Sequence, residues 1–201
     1  MMMKVVVPII TLLLAVSVYA QEETLISGEI ESGGYGGLEV KFGEINGEWE
    51  VFVGGRGGWI INHQFVLGGA GYGLTTHGET TPGIVFPYYN IDRFEMGYGG
   101  VLLAYIVNSD KLIHLNIETL IGGGGISQYT GDNTYPYYEQ LESDAFFIAE
   151  PGINFELNIS KRLRFATGAS YRFTSGVEYL NLEDADISGP SINLMLKFGK
   201  F

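Results

Sequence analysis

The chain contains no cysteine at all. That rules out a disulfide-stapled fold and a thiol-based metal or redox centre, and it removes the residue that a lipoprotein anchor modifies. Basic residues are also scarce, with 11 Lys and Arg against 23 Asp and Glu. A nucleic-acid partner is therefore not expected, because phosphate backbones require basic patches. After residue 20 no apolar run reaches the roughly 20 residues that a membrane-spanning helix needs. If the remainder crosses a membrane it must do so as strands, since only helices and closed barrels satisfy their own backbone in lipid. Histidine is sparse, and His63, His77 and His114 fall at no metal-ligand spacing, so no metal or cofactor is expected.

The chain does carry an export signature. Met1–Lys4 is a short basic start, Val5–Val18 is almost wholly apolar, and Val18-Tyr19-Ala20 has small residues where a signal peptidase reads, with Gln21 following. Residues 1–20 are expected to be a signal peptide, 21–33 a flexible acidic lead-in, and 34–201 a single β domain. Removing Lys4 with the signal leaves ten basic against 23 acidic residues, a net charge of −13. No motif repeats at a 20–50 residue period, which argues against a solenoid or propeller.

What fills residues 34–201 is alternation. At the C-terminus Ile192, Leu194, Leu196 and Phe198 share one parity, while Ser191, Asn193, Lys197 and Gly199 share the other. Successive strand side chains point to opposite faces, so the segment has one greasy face and one wet face. The same pattern predicts eight strands, at about 34–45, 48–60, 64–75, 93–107, 112–127, 144–159, 163–173 and 190–201. The Asn46-Gly47 pair suits a type I′ hairpin turn, whose two central residues need positive φ. Asn62-His63, residues 108–111 and residues 160–162 are the other short connections. The long ones are 76–92, 128–143 and 174–188, following the third, fifth and seventh strands.

Sorting of loop length by strand parity is the pattern of a membrane barrel, which has short periplasmic turns and longer extracellular loops. The short connection after the first strand is the exception. Trp49 and Trp59 stand ten residues apart on one face, a span of roughly 23 Å along a tilted strand. This compares with an apolar band about 25 Å tall edged by aromatic girdles. Trp49, Trp59, Phe165, Tyr171 and Phe173 are the predicted lipid-facing aromatic rim.

These features resemble the small eight-stranded outer-membrane barrels of Gram-negative bacteria, of the OmpX and OmpA-transmembrane type. The resemblance is architectural and covers nearly the whole mature chain. It implies an all-β, antiparallel, up-and-down transmembrane barrel in the outer membrane, in contact with lipid and delivered by the barrel-assembly machinery through an aromatic signal in the last strand. Phe201 is out of phase with the apolar face of that strand. Either Phe198 plays the part or a bulge at Gly199 restores the phase. Pro151 has no N–H for the ladder, so a bulge is expected near Glu150–Gly152.

Parity places Glu39, Lys41, Glu50, Arg56, Glu95, Glu118, Glu150, Glu156, Arg164, Arg172 and Lys197 on the inner face. Six acids against five bases suggest a lumen plugged by ion pairs, since an eight-stranded barrel is just wide enough for its own side chains. A structural or surface-interaction role follows, with no catalysis expected. Competing readings are a narrow pore, a lipid-modifying enzyme, and a soluble lipocalin-like barrel with its greasy face turned inward. His114 and Glu118 are roughly 13 Å apart along an extended strand, too far to pair. Gly122–Gly125 lacks the Lys-Ser/Thr of a phosphate loop. The loop residues Tyr129, Asp132, Tyr135, Tyr137, Tyr138, Glu139 and Glu142, with Glu178, Tyr179, Glu183, Asp184 and Asp186, suit an extracellular ligand surface or a solvated acidic rim.

Overall fold

In the computed structural model, residues 31–75, 91–132, 135–178 and 182–201 are described, with side chains for all of these except 91–93, 128–132 and 135–142. The signal peptide and most of the lead-in lie outside the described residues, as does nearly all of the 76–92 connection. Eight strands run in order: β1 (Ser32–Ile45), β2 (Glu48–Ile61), β3 (Phe65–Leu74), β4 (Ile91–Val107), β5 (Ile113–Asp132), β6 (Tyr135–Asn158), β7 (Leu163–Ser175) and β8 (Gly189–Lys200). A single helical turn, α1 (Asp184–Ile187), precedes β8. Every neighbour pairing is antiparallel, and β8 returns to β1 to close the barrel. Closure removes the sheet edge around the body of the barrel.

The tight turns have the geometry their residues favour. Asn46 and Gly47 have φ of 49° and 81°, and Asn62 and His63 have 51° and 56°. Positive φ at both central residues matches the right-handed twist of the flanking strands. One end of the barrel thus carries the β2–β3, β4–β5 and β6–β7 turns together with both termini of the sheet. The other carries the β1–β2 hairpin and the longer connections.

The structure departs from the sequence reading in four places. Residues 128–143 are not a long loop: β5 and β6 continue to Asp132 and from Tyr135, pairing beyond the rest of the barrel with register shifts near Tyr129 and Asp132. No bulge forms at Pro151. The β6–β7 pairing stops after Ala149↔Phe173 and resumes at Gly152↔Ser170 in the same register, so the missing N–H is absorbed by a gap in the ladder. No bulge forms at Gly199 either, where Gly34↔Lys200 and Tyr35↔Gly199 continue the register. Phe198 therefore shares the outward face of Ile192, Leu194 and Leu196, while Phe201 stacks on Tyr35 with ring centroids 6.0 Å apart.

The fourth departure is β4, whose faces are inverted relative to expectation. Phe94, Met96, Tyr98, Leu102 and Ile106 are buried inside, and Val101, Leu103 and Tyr105 are exposed outside. Two interior glycines explain how large rings fit. A Cβ at Gly54 would lie 2.3 Å from the Tyr72 ring, and one at Gly124 would lie 2.4 Å from the Phe146 ring.

Candidate functional site

The interior is built in three levels. Near the loop end, Ile45, Phe52, Phe94, Met96, Tyr98, Phe146 and Ile148 pack with Val177, Leu182 and Ile187. The last three come from the 174–188 connection, which turns Val177, Leu182 and Ile187 inward over the mouth while its described carboxylates stay half-buried or exposed. Arg172 fastens it. Its guanidinium is wholly buried, donating from Nε to the Ile187 carbonyl at 2.8 Å and from Nη2 to the Glu44 carbonyl at 2.8 Å. The charge lies 5.1 Å from the Phe52 ring and 5.4 Å from the Tyr98 ring. Near the turn end a smaller apolar layer joins Tyr35, Ile60, Val66 and Ile106, with Ala104 and Phe201 packed against it.

Between these layers lies a stratum of buried charge. Glu39 accepts from Arg56 Nε at 2.7 Å and from the Tyr72 hydroxyl at 2.6 Å. Arg56 reaches Glu118 from Nη1 at 2.7 Å and donates from Nη2 to the Tyr72 hydroxyl at 2.9 Å. Lys41 pairs with Glu150 at 2.7 Å and stands 3.8 Å from the centre of the Tyr72 ring. Glu150 also accepts from Ser170 Oγ at 2.6 Å.

Glu156 is the busiest acceptor. It takes Lys197 at 2.5 Å, Asn116 at 3.0 Å and Arg164 at 3.4 Å, with His114 Nε2 at 3.2 Å. Each of these ions has at least one charged partner, the condition for charge to persist inside a fold, although Glu39 Oε1, Glu150 Oε2 and Arg164 Nε make no hydrogen bond.

The structure brings together nine of the eleven residues that parity placed inside: Glu39, Lys41, Arg56, Glu118, Glu150, Glu156, Arg164, Arg172 and Lys197 are all buried. Two differ. Glu50 shares the inner face of Phe52 but is half-buried one level closer to the loop end, opposite Gly43. Glu95 is a correction. It lies between the buried Phe94 and Met96, so its side chain belongs to the outward face of Val101 and Leu103.

Among the described residues, four buried carboxylates thus meet five buried cations in the lumen. The fifth cation, Arg172, is answered by carbonyls and ring faces. Trp49, Trp59, Phe165, Tyr171 and Phe173 all point outward and are exposed.

Within-strand reasoning missed the cross-strand partners. His114 does not approach Glu118; it lies directly opposite Glu156 on β6. Parity within a strand sets Asn116 with His114 and Ser170 with Arg164, but the partners of Tyr72, Asn116 and Ser170 depend on the register between strands. His114 contacts Glu156, Arg164 and the Lys111 carbonyl, and Ser170 contacts Glu150 and Asn193. No group of metal-ligating side chains is found among the described residues.

No family model matches the chain, and no curated sequence matches it. Solved structures do. Neisserial surface protein A, NspA, superposes with a TM-score of 0.53 at 10% identity, over 87% of this chain and 100% of its own. Ail, the attachment invasion locus protein of Yersinia pestis, solved with the heparin analogue sucrose octasulfate, gives 0.49 at 13% identity over 86% and 99%. The likeness is one of architecture and shows the fold alone: the chain, like NspA, is a closed, antiparallel, eight-stranded barrel.

Proposed function

We propose that the chain is an outer-membrane β-barrel with a structural or surface-interaction role, its lumen sealed by its own side chains. One observation carries this reading: the barrel is inside out by the standards of a water-soluble protein. Leu38, Phe42, Leu67, Val101, Ile117, Ile153, Phe155 and Leu196 are exposed around the outside, while Lys41, Arg172 and Lys197 are buried at the centre. Water-soluble monomers rarely expose contiguous apolar patches beyond a few hundred Å². A band of this kind, around an interior that buries charge on β1, β2, β5, β6, β7 and β8, suits lipid.

Both apolar layers, and the charge stratum between them, support a plugged lumen rather than a pore. A soluble ligand-binding barrel would turn its greasy face inward, against the exposures just given. In this reading residues 1–20 are a cleaved signal peptide, the turn end faces the periplasm, and Phe198 supplies the in-phase aromatic by which the assembly machinery recognises the last strand. The loop end faces outward. It carries Glu48, Asp144, Glu178, Glu183, Asp184 and Asp186 on the described residues, together with the β5–β6 hairpin. A surface role rests on that acidic end, which favours a cationic partner. NspA is named a surface protein; the acids of this chain's own loop end are what support such a role here.

Cell fractionation tests the reading. The mature chain is expected in the outer membrane, beginning at Gln21, and migrating as a band that shifts on boiling. A chain found soluble in the periplasm overturns it.

A further inference from the structure

The exposed cations are gathered at the turn end. Among the described residues they are Lys111, Lys161, Arg162 and Lys200, and all four lie there. The exposed acids at that end already have neighbours: Asp110 is 3.3 Å from Lys111 and Glu31 is 2.6 Å from His63. Lys161, Arg162 and Lys200 form no ion pair with any described carboxylate.

These three surround a cleft of about 730 Å³ between the β6–β7 turn and the end of β8. Asn158, Ser160, Arg164, Phe198 and Phe201 complete its wall, and no carboxylate side chain lines it. Arg164 belongs partly to the lumen, through Glu156 and through the Phe201 ring 4.0 Å away. Phe198 is 63% exposed and points outward. Ile159, Phe165 and Leu196 continue the same greasy surface beside it.

Resting on the membrane reading above, we propose that this cleft seats the headgroup of an anionic phospholipid of the inner leaflet. The phosphate lies among Lys161, Arg162 and Lys200, and the acyl chains run up the barrel wall over Phe198, Leu196 and Phe165. Two features of the cleft select a lipid over a soluble anion. The cations share one wall with no Asp or Glu side chain in it, which suits a phosphate. Their boundary is also the place where the greasy face begins, and only an amphiphile satisfies both surfaces at once. Basic residues at a membrane surface favour anionic lipid by about fivefold each.

The test is native mass spectrometry of the full mature barrel, released from phosphatidylcholine nanodiscs containing a graded fraction of phosphatidylglycerol. Wild type is expected to retain phosphatidylglycerol in preference to phosphatidylcholine. The triple variant K161Q/R162Q/K200Q is expected to lose about 100-fold in phosphatidylglycerol affinity while holding phosphatidylcholine as before. Phe198→Ser is expected to weaken phosphatidylglycerol several-fold with the cations intact. Free glycerol phosphate and a soluble cell-wall muropeptide serve as competitors, and neither is expected to displace the lipid.

Equal retention by the triple variant, no preference over phosphatidylcholine, displacement by glycerol phosphate, or displacement by the muropeptide overturns the proposal. The last outcome transfers the site to the cell wall. A chain that enters the nanodisc with a heat-modifiable gel band but shows no headgroup preference defeats this proposal alone. One that fails to enter defeats the membrane reading.

Discussion

The two walls of the lumen are made of different matter. Among the residues whose side chains are described, the β5–β8 wall, continued onto β1 and β2, holds every buried charge: Glu39, Lys41, Arg56, Glu118, Glu150, Glu156, Arg164, Arg172 and Lys197. The described side chains of the β3–β4 wall include no buried charge. It offers Val66, Met96, Leu102 and Ile106 together with the tyrosines 72 and 98. The walls meet through those rings. The Tyr72 hydroxyl joins Glu39 to Arg56, and the Lys41 ammonium lies over the Tyr72 face. A lumen therefore need not be polar all round. One wet wall is enough if the dry wall presents aromatic faces and hydroxyls where the charges end.

The sharpest way to break the comparison is on the wet wall. Glu156→Gln removes the carboxylate shared by Lys197, Arg164 and His114 and leaves a buried ammonium without its counter-charge. Breaking one partner of a buried pair costs about 3–5 kcal/mol, so the urea midpoint of the refolded barrel in detergent is expected to fall by that equivalent, the largest loss of the set. An unchanged midpoint would mean that the stratum is not held by ion pairing.

On the dry wall the response has a different origin. Leu102 is fully buried with no polar partner, so Leu102→Ala is expected to cost about 3 kcal/mol through lost burial and a residual cavity. The cost should be insensitive to salt and to substitutions at Glu156. Strong coupling in a double-mutant cycle would show that the walls are not separate. Tyr72→Phe, at the junction, leaves ring packing in place and removes only the hydroxyl. About 1–3 kcal/mol is expected, because Glu39 and Arg56 each lose a partner inside the fold. That loss should shrink when Glu39 is also replaced by Gln, as measured in the same unfolding series.

The contrast between walls also explains what could be read from the sequence. On β8 one parity is Ile192, Leu194, Leu196 and Phe198 and the other contains Asn193 and Lys197, so the wet wall declares itself. Barrel closure, strand count and nine of eleven lumen charges follow from such strands. On β4 both parities are apolar: Phe94, Met96 and Leu102 on one, Val101, Leu103 and Tyr105 on the other. There hydrophobicity does not tell lipid from a dry lumen wall, and the charge at Glu95 tips the reading to the wrong side. Register was illegible for a similar reason. Nothing within β5 indicates that His114 faces Glu156 across the strand gap. The 174–188 segment reads as an acidic loop because its acids outnumber Val177, Leu182 and Ile187, yet it is those three that direct it into the mouth.

Glu95 supplies the finest test of the inversion. If β4 had the phase its charge suggests, Glu95 would sit in the ion-paired stratum, and Glu95→Gln would cost as much as Glu156→Gln. The structure sets it on the outward face of β4, opposite Ser127 and close to the loop end. A half-buried position near the rim, away from the buried stratum, makes the substitution worth about 1 kcal/mol or less. The unfolding midpoint of Glu95→Gln should therefore fall close to wild type, and a cysteine at position 95 should react with a water-soluble maleimide in intact vesicles, while one at the neighbouring Met96 should not. Equal loss of stability at positions 95 and 156, or protection of 95 with labelling of 96, would reverse the faces of β4 and make the second wall wet.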